Sequence, residues 1–488
     1  MRKTLMVVLL ALAVGGTACS HNGKDPEPTP PEPPVQETNL DKAEENLRRS
    51  LTLTQSALEH CFKGNSMLMM RYYYPFIGTT SLEKASVWMY TSSLEAVNAL
   101  LSGMEDLKEA GRPELYDTNS EALKKTLGDL FDGLDWYKGT YTLTSYTQTK
   151  EWSVYGVNRG NSPGTAKVEG VENVYDDQEW LTRELLNAYR LTGESRYLEK
   201  AEYLAEYVLD GWDCTLKSDG TEHGGITWGP GYYTKHSCSN GPFVSPLVWL
   251  GEIYSGKNAK ITHRYIGAMK QRLTEEMDKS EYYLMFAKKV YAFQKNNLFR
   301  KAVGVYYDML GAKGSSLSES GIAYETVGGV RYRANNEEEG PTGTAYSYNS
   351  GTMLSGAADL YRVTGDKEYL TDMTSLSNST LVYFAKKSAT VEDCYDYDVT
   401  GFNNWFNGVL LRGWVDVSAH YSNVSLNITT FQNNLDHGYT NYLHDGFMPP
   451  SLLYGWNTDN TKNKVEGMFA FAFAAEYAEI ARYLIRTK

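Results

Sequence analysis

Apolar residues recur at helical spacing along much of the chain, and two of these stretches share one motif. Residues 189–198 and 361–370 both read Tyr-Arg-x-Thr-Gly-acid-x-x-Tyr-Leu. Gly193 and Gly365 stand where a helix that ends in a left-handed residue favours glycine. The apolar stripe before each motif repeats at i, i+4 and i+7, in Leu181, Leu185 and Ala188 and again in Leu354, Ala358 and Tyr361. The pattern predicts a helical hairpin that is used at least twice.

Five further stretches show a helical period, at 86–101, 244–254, 282–293, 409–417 and 467–485. Segments rich in glycine, asparagine and aromatic residues lie between them, at 224–233, 340–351 and 393–405. Helix pairs joined by long aromatic loops predict an all-α fold, a closed (α/α)6 toroid of helical hairpins. An open helical solenoid is the structural alternative, but arrays of that kind have a tighter period.

The first 40 residues differ from the rest. Residues 1–19 predict a lipoprotein signal peptide, because a basic start precedes an apolar run too short to span a bilayer. The segment after this run resembles a bacterial lipobox that ends at Cys19, the expected lipidation site, and Ser20 after it matches the sorting pattern of outer-membrane lipoproteins. We predict a proline-rich tether at residues 20–40, which leaves residues 41–488 as one large domain. We expect an outer-membrane lipoprotein on the cell surface or the periplasmic face.

Charge and cysteine content narrow the choice of partners. The net charge of −13 argues against nucleic acid and anionic lipid, whereas an uncharged glycan would be indifferent to it. Beyond Cys19 the chain has Cys61, Cys214, Cys238 and Cys394, an even number that permits two disulfides. Their wide spacing resembles no zinc site, and we favour free cysteines.

Asp176 and Asp177 are adjacent carboxylates where a tyrosine-rich loop meets an amphipathic helix. Glycosidic hydrolysis needs two carboxyl groups, one to protonate the leaving oxygen and one to attack or stabilise the sugar cation. A second interpretation is helix capping, with Asp176 as the N-cap and Glu179 completing a capping box.

Several motifs, in order, resemble glycoside hydrolase family 76, the endo-α-1,6-mannanases. They lie at 176–180, 188–198, 224–228, 239–240, 348–351 and 406–412. The resemblance implies a retaining enzyme in which Asp176 is the nucleophile and Asp177 the acid/base. The chain departs from the family pattern at Gly241, Ser350 and Asn407, which puts chain-length preference in doubt.

Other candidates concern sugar binding. Sugars stack on aromatic rings while a few polar groups meet their hydroxyls. We therefore predict that the substrate contacts Trp228, Tyr232, Asn240, Tyr348, Asn349 and Trp405. The alternatives are that the aromatic residues anchor loops and that Asn240 caps a helix. Trp180 lies within a predicted helix, and we expect its side chain to serve packing.

No cofactor or metal is expected. The histidines lack an i, i+4 metal pairing. Asp393, Asp396 and Asp398 lack the glycine of a calcium-binding EF-hand, so a solvated or groove-edge loop is favoured.

The function predicted from these residues is a retaining endo-α-1,6-mannanase. It would act as a monomer on the α-1,6-mannan backbone of yeast-type mannan, binding the polysaccharide or its oligosaccharides. The first alternative is another (α/α)6 glycosidase, such as an unsaturated uronyl hydrolase. The second is a non-catalytic surface glycan-binding protein that kept the groove.

Overall fold

The computed structural model describes residues 38–64, 66–312, 322–335 and 338–487, and these residues form twelve α-helices. The helices are α1 (Asn39–Cys61), α2 (Val87–Glu109), α3 (Glu114–Gly133), α4 (Tyr175–Thr192), α5 (Ser195–Asp210), α6 (Val244–Ile253), α7 (Lys279–Leu298), α8 (Ser347–Thr364), α9 (Lys367–Phe384), α10 (Asn403–Ser418), α11 (Ser425–Tyr442) and α12 (Gly467–Arg486).

The even-numbered helices form a closed inner ring. Each of α2, α4, α6, α8, α10 and α12 packs against the next, and α12 packs against both α1 and α2. The odd-numbered helices lie outside, each beside a helix adjacent to it in the chain. The chain is therefore an (α/α)6 toroid, as predicted, and its closure excludes the open solenoid.

Short strands occupy the connections between helices. They are β1 (Phe62–Lys63), β2 (Leu68–Met69), β3 (Tyr72–Tyr74), β4 (Thr79–Thr80), β5 (Lys138–Thr144), β6 (Thr149–Tyr155), β7 (Lys235–His236), β8 (Lys260–Ile266), β9 (Arg272–Asp278), β10 (Phe299–Arg300), β11 (Val305–Tyr306), β12 (Met309–Ala312), β13 (Tyr324–Val327), β14 (Val330–Arg333), β15 (Glu338–Thr342), β16 (Ala385–Lys387), β17 (Tyr395–Tyr397) and β18 (Val465–Glu466). All described pairings are antiparallel, and β12 joins β7 to β15 in a three-stranded sheet.

The two motif-bearing hairpins form as predicted. Gly193 ends α4 with φ of 72°, and Gly365 ends α8 with φ of 68°. Both values lie in the left-handed region, where a side chain at Cβ is strained. The amide of Gly193 donates to the Tyr189 carbonyl and that of Gly365 to the Tyr361 carbonyl, so both helix ends are closed in the same way.

The domain begins slightly earlier than predicted. Thr38 and Asp41 form a capping box that starts α1 at Asn39, so residues 38–40 belong to the domain and not to the tether. The predicted signal peptide, Cys19 and the proline-rich run lie outside the described residues. Within the described part of the chain, no helix is both long and apolar enough to cross a membrane.

The backbones of α8 and α10 approach each other closely in the inner ring. A Cβ on Gly351 would lie 2.6 Å from the Val409 carbonyl oxygen, and one on Gly413 would lie 2.4 Å from the Gly351 carbonyl oxygen. Glycine at both positions thus lets the two backbones touch. This contact sets the spacing of two helix N-termini that carry aromatic residues at the same end of the ring.

Candidate active site

A cleft of about 780 Å³ opens at the N-terminal end of the inner helices. Four inner helices contribute residues at or next to their first turns. The lining residues are Ser86, Trp88, Val157, Val171, Val174, Asp176, Asp177, Trp180, Trp228, Tyr232, His236, Cys238, Asp308, Thr344, Tyr346, Tyr348, Asp398, Thr400, Gly401, Phe402, Asn403, Trp405 and Phe406.

The aspartate pair lies in the first turn of α4 and lines this cleft. The N-cap of the helix is Val174, and no side chain caps it, so the capping interpretation of Asp176 is wrong. Tertiary contacts define the helix start instead: the Tyr175 amide donates to the Trp228 carbonyl at 2.8 Å. The Gln178 amide group also donates to the Tyr155 carbonyl of β6 at 2.7 Å. Both carboxyl groups are therefore left without a capping role.

Burial gives the two carboxyl groups different proton affinities. It raises the pKa of Asp176 to about 7, although the Cys238 thiol and the backbone N–H groups of Asp176 and Asp177 act in the opposite direction. Burial, and then the negative charge of Asp176, raise the pKa of Asp177 well above its ordinary value. Near neutral pH the arrangement favours one ionised carboxylate, on Asp176, beside one protonated acid, on Asp177.

Glu179 is a third buried carboxyl group, one helical turn below the pair. Its side chain is fully buried, and neither oxygen has a hydrogen-bond partner in the described part of the chain. Burial, and then the nearby Asp176 charge, raise the pKa of Glu179 well above its ordinary value, which disfavours its charged form. It forms no capping box.

Aromatic rings form two walls of the cleft. On one side Trp228 stacks on His236, with ring centroids 4.7 Å apart, and contacts Tyr232 at 4.6 Å. On the other side Trp405 and Tyr348 lie in the first turns of α10 and α8, not in loops. All four aromatic residues predicted to bind substrate thus line the cleft.

Sequence reasoning missed several lining residues. Trp88 and Phe402 contact each other at 4.8 Å, although they are far apart in the chain. Burial lowers the pKa of His236 to about 4, so this ring is neutral. Burial also raises the pKa of Asp308 to about 6. One signal in the sequence was available. Trp88 lies two residues after Ser86, which caps α2 at the same end of the ring.

Asn240 does not lie in the cleft, which corrects the prediction that it binds substrate. Its side chain is fully buried, and its Oδ1 accepts from the Ile226 amide at 2.9 Å. Its Nδ2 donates to the carbonyls of Ile226 and His236 at 3.0 and 2.7 Å. Asn240 therefore joins the two halves of the loop that carries Trp228 and His236.

Asn349 is also misplaced by the prediction. It is fully buried in α8, behind the cleft-lining Tyr348, and its carbonyl accepts from Gln294 at 3.5 Å. Its Nδ2 donates to the Tyr307 carbonyl at 3.5 Å, so the amide contacts protein backbone and does not line the cleft.

The three positions that depart from the family pattern lie in the support of the cleft. A Cβ on Gly241 would lie 2.5 Å from the Thr352 hydroxyl, so a larger residue has no room there. Ser350 is fully buried. Asn407 accepts from the Ser347 hydroxyl at 2.7 Å and donates to the Asp398 carbonyl at 2.9 Å, which holds a cleft loop.

A second cavity, of about 690 Å³, lies at the C-terminal end of the inner helices. Its charges are largely paired with one another: Arg482 contacts Glu479 at 3.3 Å, and Arg362 contacts Asp359 at 2.6 Å. It does not include the aspartate pair. The chemistry is therefore concentrated at the opposite end of the ring.

Cys61, Cys214, Cys238 and Cys394 are all free and buried, as favoured from the sequence. Among the described residues, no group of three or more histidine, cysteine, aspartate and glutamate side chains is arranged to hold a metal ion.

Known proteins resemble this chain in sequence pattern and in fold. The model of glycosyl hydrolase family 76 matches residues 134–260 and 247–477. The family 76 mannosidase Bt3792 of Bacteroides thetaiotaomicron VPI-5482 has a similar structure, with 20% identity and a TM-score of 0.63 over 90% of this chain and 98% of its own. The GH76A α-1,6-mannanase of Salegentibacter sp. HEL1_6 has 19% identity and a TM-score of 0.58 over 90% of this chain and 99% of its own.

An inactive variant of the Salegentibacter mannanase, with two consecutive aspartates changed to asparagine, has been solved in complex with α-1,6-mannotriose. A search of curated proteins finds no match.

The role of Asn240 as a loop clamp is tested by Asn240→Ala. Removal of the amide leaves the buried Ile226 N–H without its acceptor and leaves the carbonyls of Ile226 and His236 to share the Ser239 hydroxyl. Unfolding in urea should therefore show a loss of about 1–3 kcal/mol. Asn441→Ala is the matched control, because Asn441 is exposed and bonds only within its own helix turn. An Asn240→Ala protein as stable as the control would contradict the assignment.

The buried charge of Asp176 is tested by the pH dependence of stability. A carboxyl group whose pKa is raised on folding destabilises the fold increasingly from pH 4 to about 7. Asp176→Asn should therefore raise the melting temperature by several degrees at pH 7.5 and by less at pH 4. Asp219→Asn is the control, since hydrogen bonds from Thr221 lower the pKa of Asp219. A gain that is equal at both pH values, or larger at pH 4, would refute the shift.

Proposed function

The chain belongs to glycosyl hydrolase family 76, and from this premise we propose that it is a retaining endo-α-1,6-mannanase that cleaves the backbone of yeast-type mannan. Membership of this family makes the chain a glycoside hydrolase. We propose in addition the α-1,6 linkage, the endo mode of cleavage and the roles of the two aspartates.

The position of Asp176 and Asp177, side by side in the first turn of α4 and both lining an aromatic cleft, is the observation that carries it. A double displacement needs one carboxylate to attack the anomeric carbon and one protonated acid to donate to the leaving oxygen. Asp176 is the group that ionises first, since the Cys238 thiol and backbone N–H groups favour its charged form. Burial, and then the Asp176 charge, raise the pKa of Asp177 and so favour its protonated form.

In this proposal the reaction proceeds by two successive displacements at the anomeric carbon. The Asp176 carboxylate bonds to the anomeric carbon while Asp177 gives its proton to the departing mannosyl oxygen. Asp177, now ionised, takes a proton from water, whose oxygen displaces Asp176 and restores the starting states. The N-terminal end of α4 favours negative charge on the pair at each stage.

The walls of the cleft suit a neutral sugar chain. Aromatic rings from four inner-helix ends and from the 228–236 loop offer apolar faces for pyranose stacking. Among the described residues that line the cleft there is no lysine or arginine. A uronyl substrate, which carries a carboxylate, would lack a cationic partner there, so this cleft disfavours the uronyl hydrolase alternative.

The mannan linkage is supported by the structural neighbours. One of them is an α-1,6-mannanase whose inactive variant, altered at two consecutive aspartates, is seen with α-1,6-mannotriose. The retention of an adjacent pair in the cleft of this chain supports catalysis over the non-catalytic glycan-binding alternative. The departures at Gly241, Ser350 and Asn407 do not weaken it, because these residues support the cleft from outside.

We further propose that the enzyme acts from the outer membrane as a lipoprotein. The support is the predicted signal peptide, with Cys19 at its end and a proline-rich tether after it. We also propose that it acts as a monomer, because the residues that line the cleft all come from one chain.

The location is tested by Cys19→Ser. In a Gram-negative host, the unaltered chain should sediment with outer membranes and incorporate labelled palmitate, and the variant should do neither. Ser20→Ala, which keeps the thiol, is the matched control for expression. Labelling of the Cys19→Ser chain would rule out this anchor.

Activity is tested on linear α-1,6-mannan, with product sizes resolved by chromatography and anomers read by NMR before mutarotation. We expect α-configured oligomannosides from the native chain, and a loss of about 10³-fold or more in Asp176→Asn and Asp177→Asn. Asp210→Asn is the matched control, since Asp210 is buried with a raised pKa but lies outside the cleft.

Azide separates the two roles. With an aryl α-1,6-mannobioside and azide, Asp177→Ala should yield an α-configured glycosyl azide, and Asp176→Ala a β-configured one. The opposite pattern would exchange the roles, and binding of mannan without any product would support the glycan-binding alternative instead.

A further inference from the structure

A buried ion pair beneath the cleft takes no part in the proposed reaction. Glu95 of α2 accepts a hydrogen bond from the Trp405 indole Nε1 at 3.0 Å and pairs with Arg412 of α10. The side chains of Glu95 and Arg412 are 14% and 6% exposed. Arg412 ends the 406–412 motif, and neither residue lines the cleft.

Trp405 is the centre of one aromatic wall. Its ring meets Trp180 edge to face, with centroids 5.0 Å apart at 85°, and meets Trp88 in the same manner at 5.3 Å and 87°. The Arg412 guanidinium lies over Trp180 at 5.7 Å from the ring centroid. The ion pair therefore contacts both Trp405 and Trp180, the latter on α4 one turn beyond the aspartates.

Apolar packing alone would not select one orientation of the indole ring. A buried ring can rotate about its side-chain bonds and still cover a similar area, whereas an N–H bond to a fixed carboxylate has one direction. An ion pair in this position is costly, because burial opposes the charges of both Glu95 and Arg412. Two apolar residues would fill the space at a lower cost in free energy. What the ion pair adds is therefore the directional hydrogen bond to the indole N–H of Trp405.

We propose that Glu95, held in place by Arg412, is a positioning residue that fixes Trp405, and through it Trp180 and Trp88, as a sugar-contacting wall of the cleft. This inference rests on the proposed function. Its effect falls on substrate binding more than on proton transfer, because Glu95 touches neither Asp176 nor Asp177 among the contacts of the described residues.

The test compares variants of the full mature chain on α-1,6-mannotetraose, with kcat and KM measured separately. Glu95→Ala removes the acceptor and should raise KM about tenfold with a smaller change in kcat. Glu95→Gln keeps an oxygen for the indole N–H and should restore KM to within about threefold of the native value. Glu95→Asp keeps the charge but draws the acceptor back by one methylene, and should raise KM as Glu95→Ala does.

Glu202→Gln is the matched control. The Glu202 side chain is 13% exposed, accepts from the Tyr254 hydroxyl at 2.7 Å and pairs with Lys279, but it lies on the outer helix α5 and does not line the cleft. Its loss should lower stability and leave KM unchanged. If Glu95→Ala does not fold, Glu95→Asp decides the question.

Two results separate failure of this inference from failure of the proposed function. An active native chain whose KM is the same in the Glu95 variants and in Glu202→Gln would overturn the positioning role alone. A native chain without activity on mannan would overturn the proposed function. In that case the role of Glu95 is read from mannotetraose affinity by calorimetry, where unchanged affinity in Glu95→Asp would overturn it as well.

Discussion

Two adjacent carboxyl groups cannot both lose their protons easily where little water reaches them. In this chain that constraint operates at the first turn of α4, where burial, and then the charge on Asp176, raise the pKa of Asp177. The fold maintains the pair at a cost in stability, because the oxygens Oδ1 of Asp176 and Oδ2 of Asp177 are buried and lack hydrogen-bond partners among the described residues. Unequal ionisation is the chemical result, and a double displacement requires it.

The toroid supplies what this pair needs. Inner helices begin at one end of the ring, so their first turns bring Trp88, Asp176, Tyr348 and Trp405 to one cleft although they are far apart in the chain. Glycine contacts between α8 and α10 allow the close approach of two of these helices. Polar groups outside the cleft hold its parts, as Asn240 does for the 228–236 loop.

Local patterns in the sequence predicted the fold well. The hairpins follow from helical periodicity and from Gly193 and Gly365, because a helix end is determined by a few neighbouring residues. The aspartate pair was also visible, since its two members are adjacent. The capping interpretation was wrong because the start of α4 is set by the distant Trp228 carbonyl, which no local pattern reveals.

The rest of the site depends on contacts between distant segments. Motif membership indicated that Asn240 and Asn349 matter, but it could not show that neither side chain lines the cleft. Trp88 was missed because the serine that caps α2 marks where the helix begins but does not show that this end of the ring carries the cleft.

The central claim is that Asp176 and Asp177 titrate unequally within the folded chain. It is tested most directly by carbon-13 NMR titration of protein labelled at the aspartate carboxyl carbons, with Asp176→Asn and Asp177→Asn used to assign the two signals. We predict that the Asp176 signal moves with a midpoint near pH 7 and that Asp177 stays protonated above it. Two signals that both move below pH 5, as in exposed aspartates, would contradict the account.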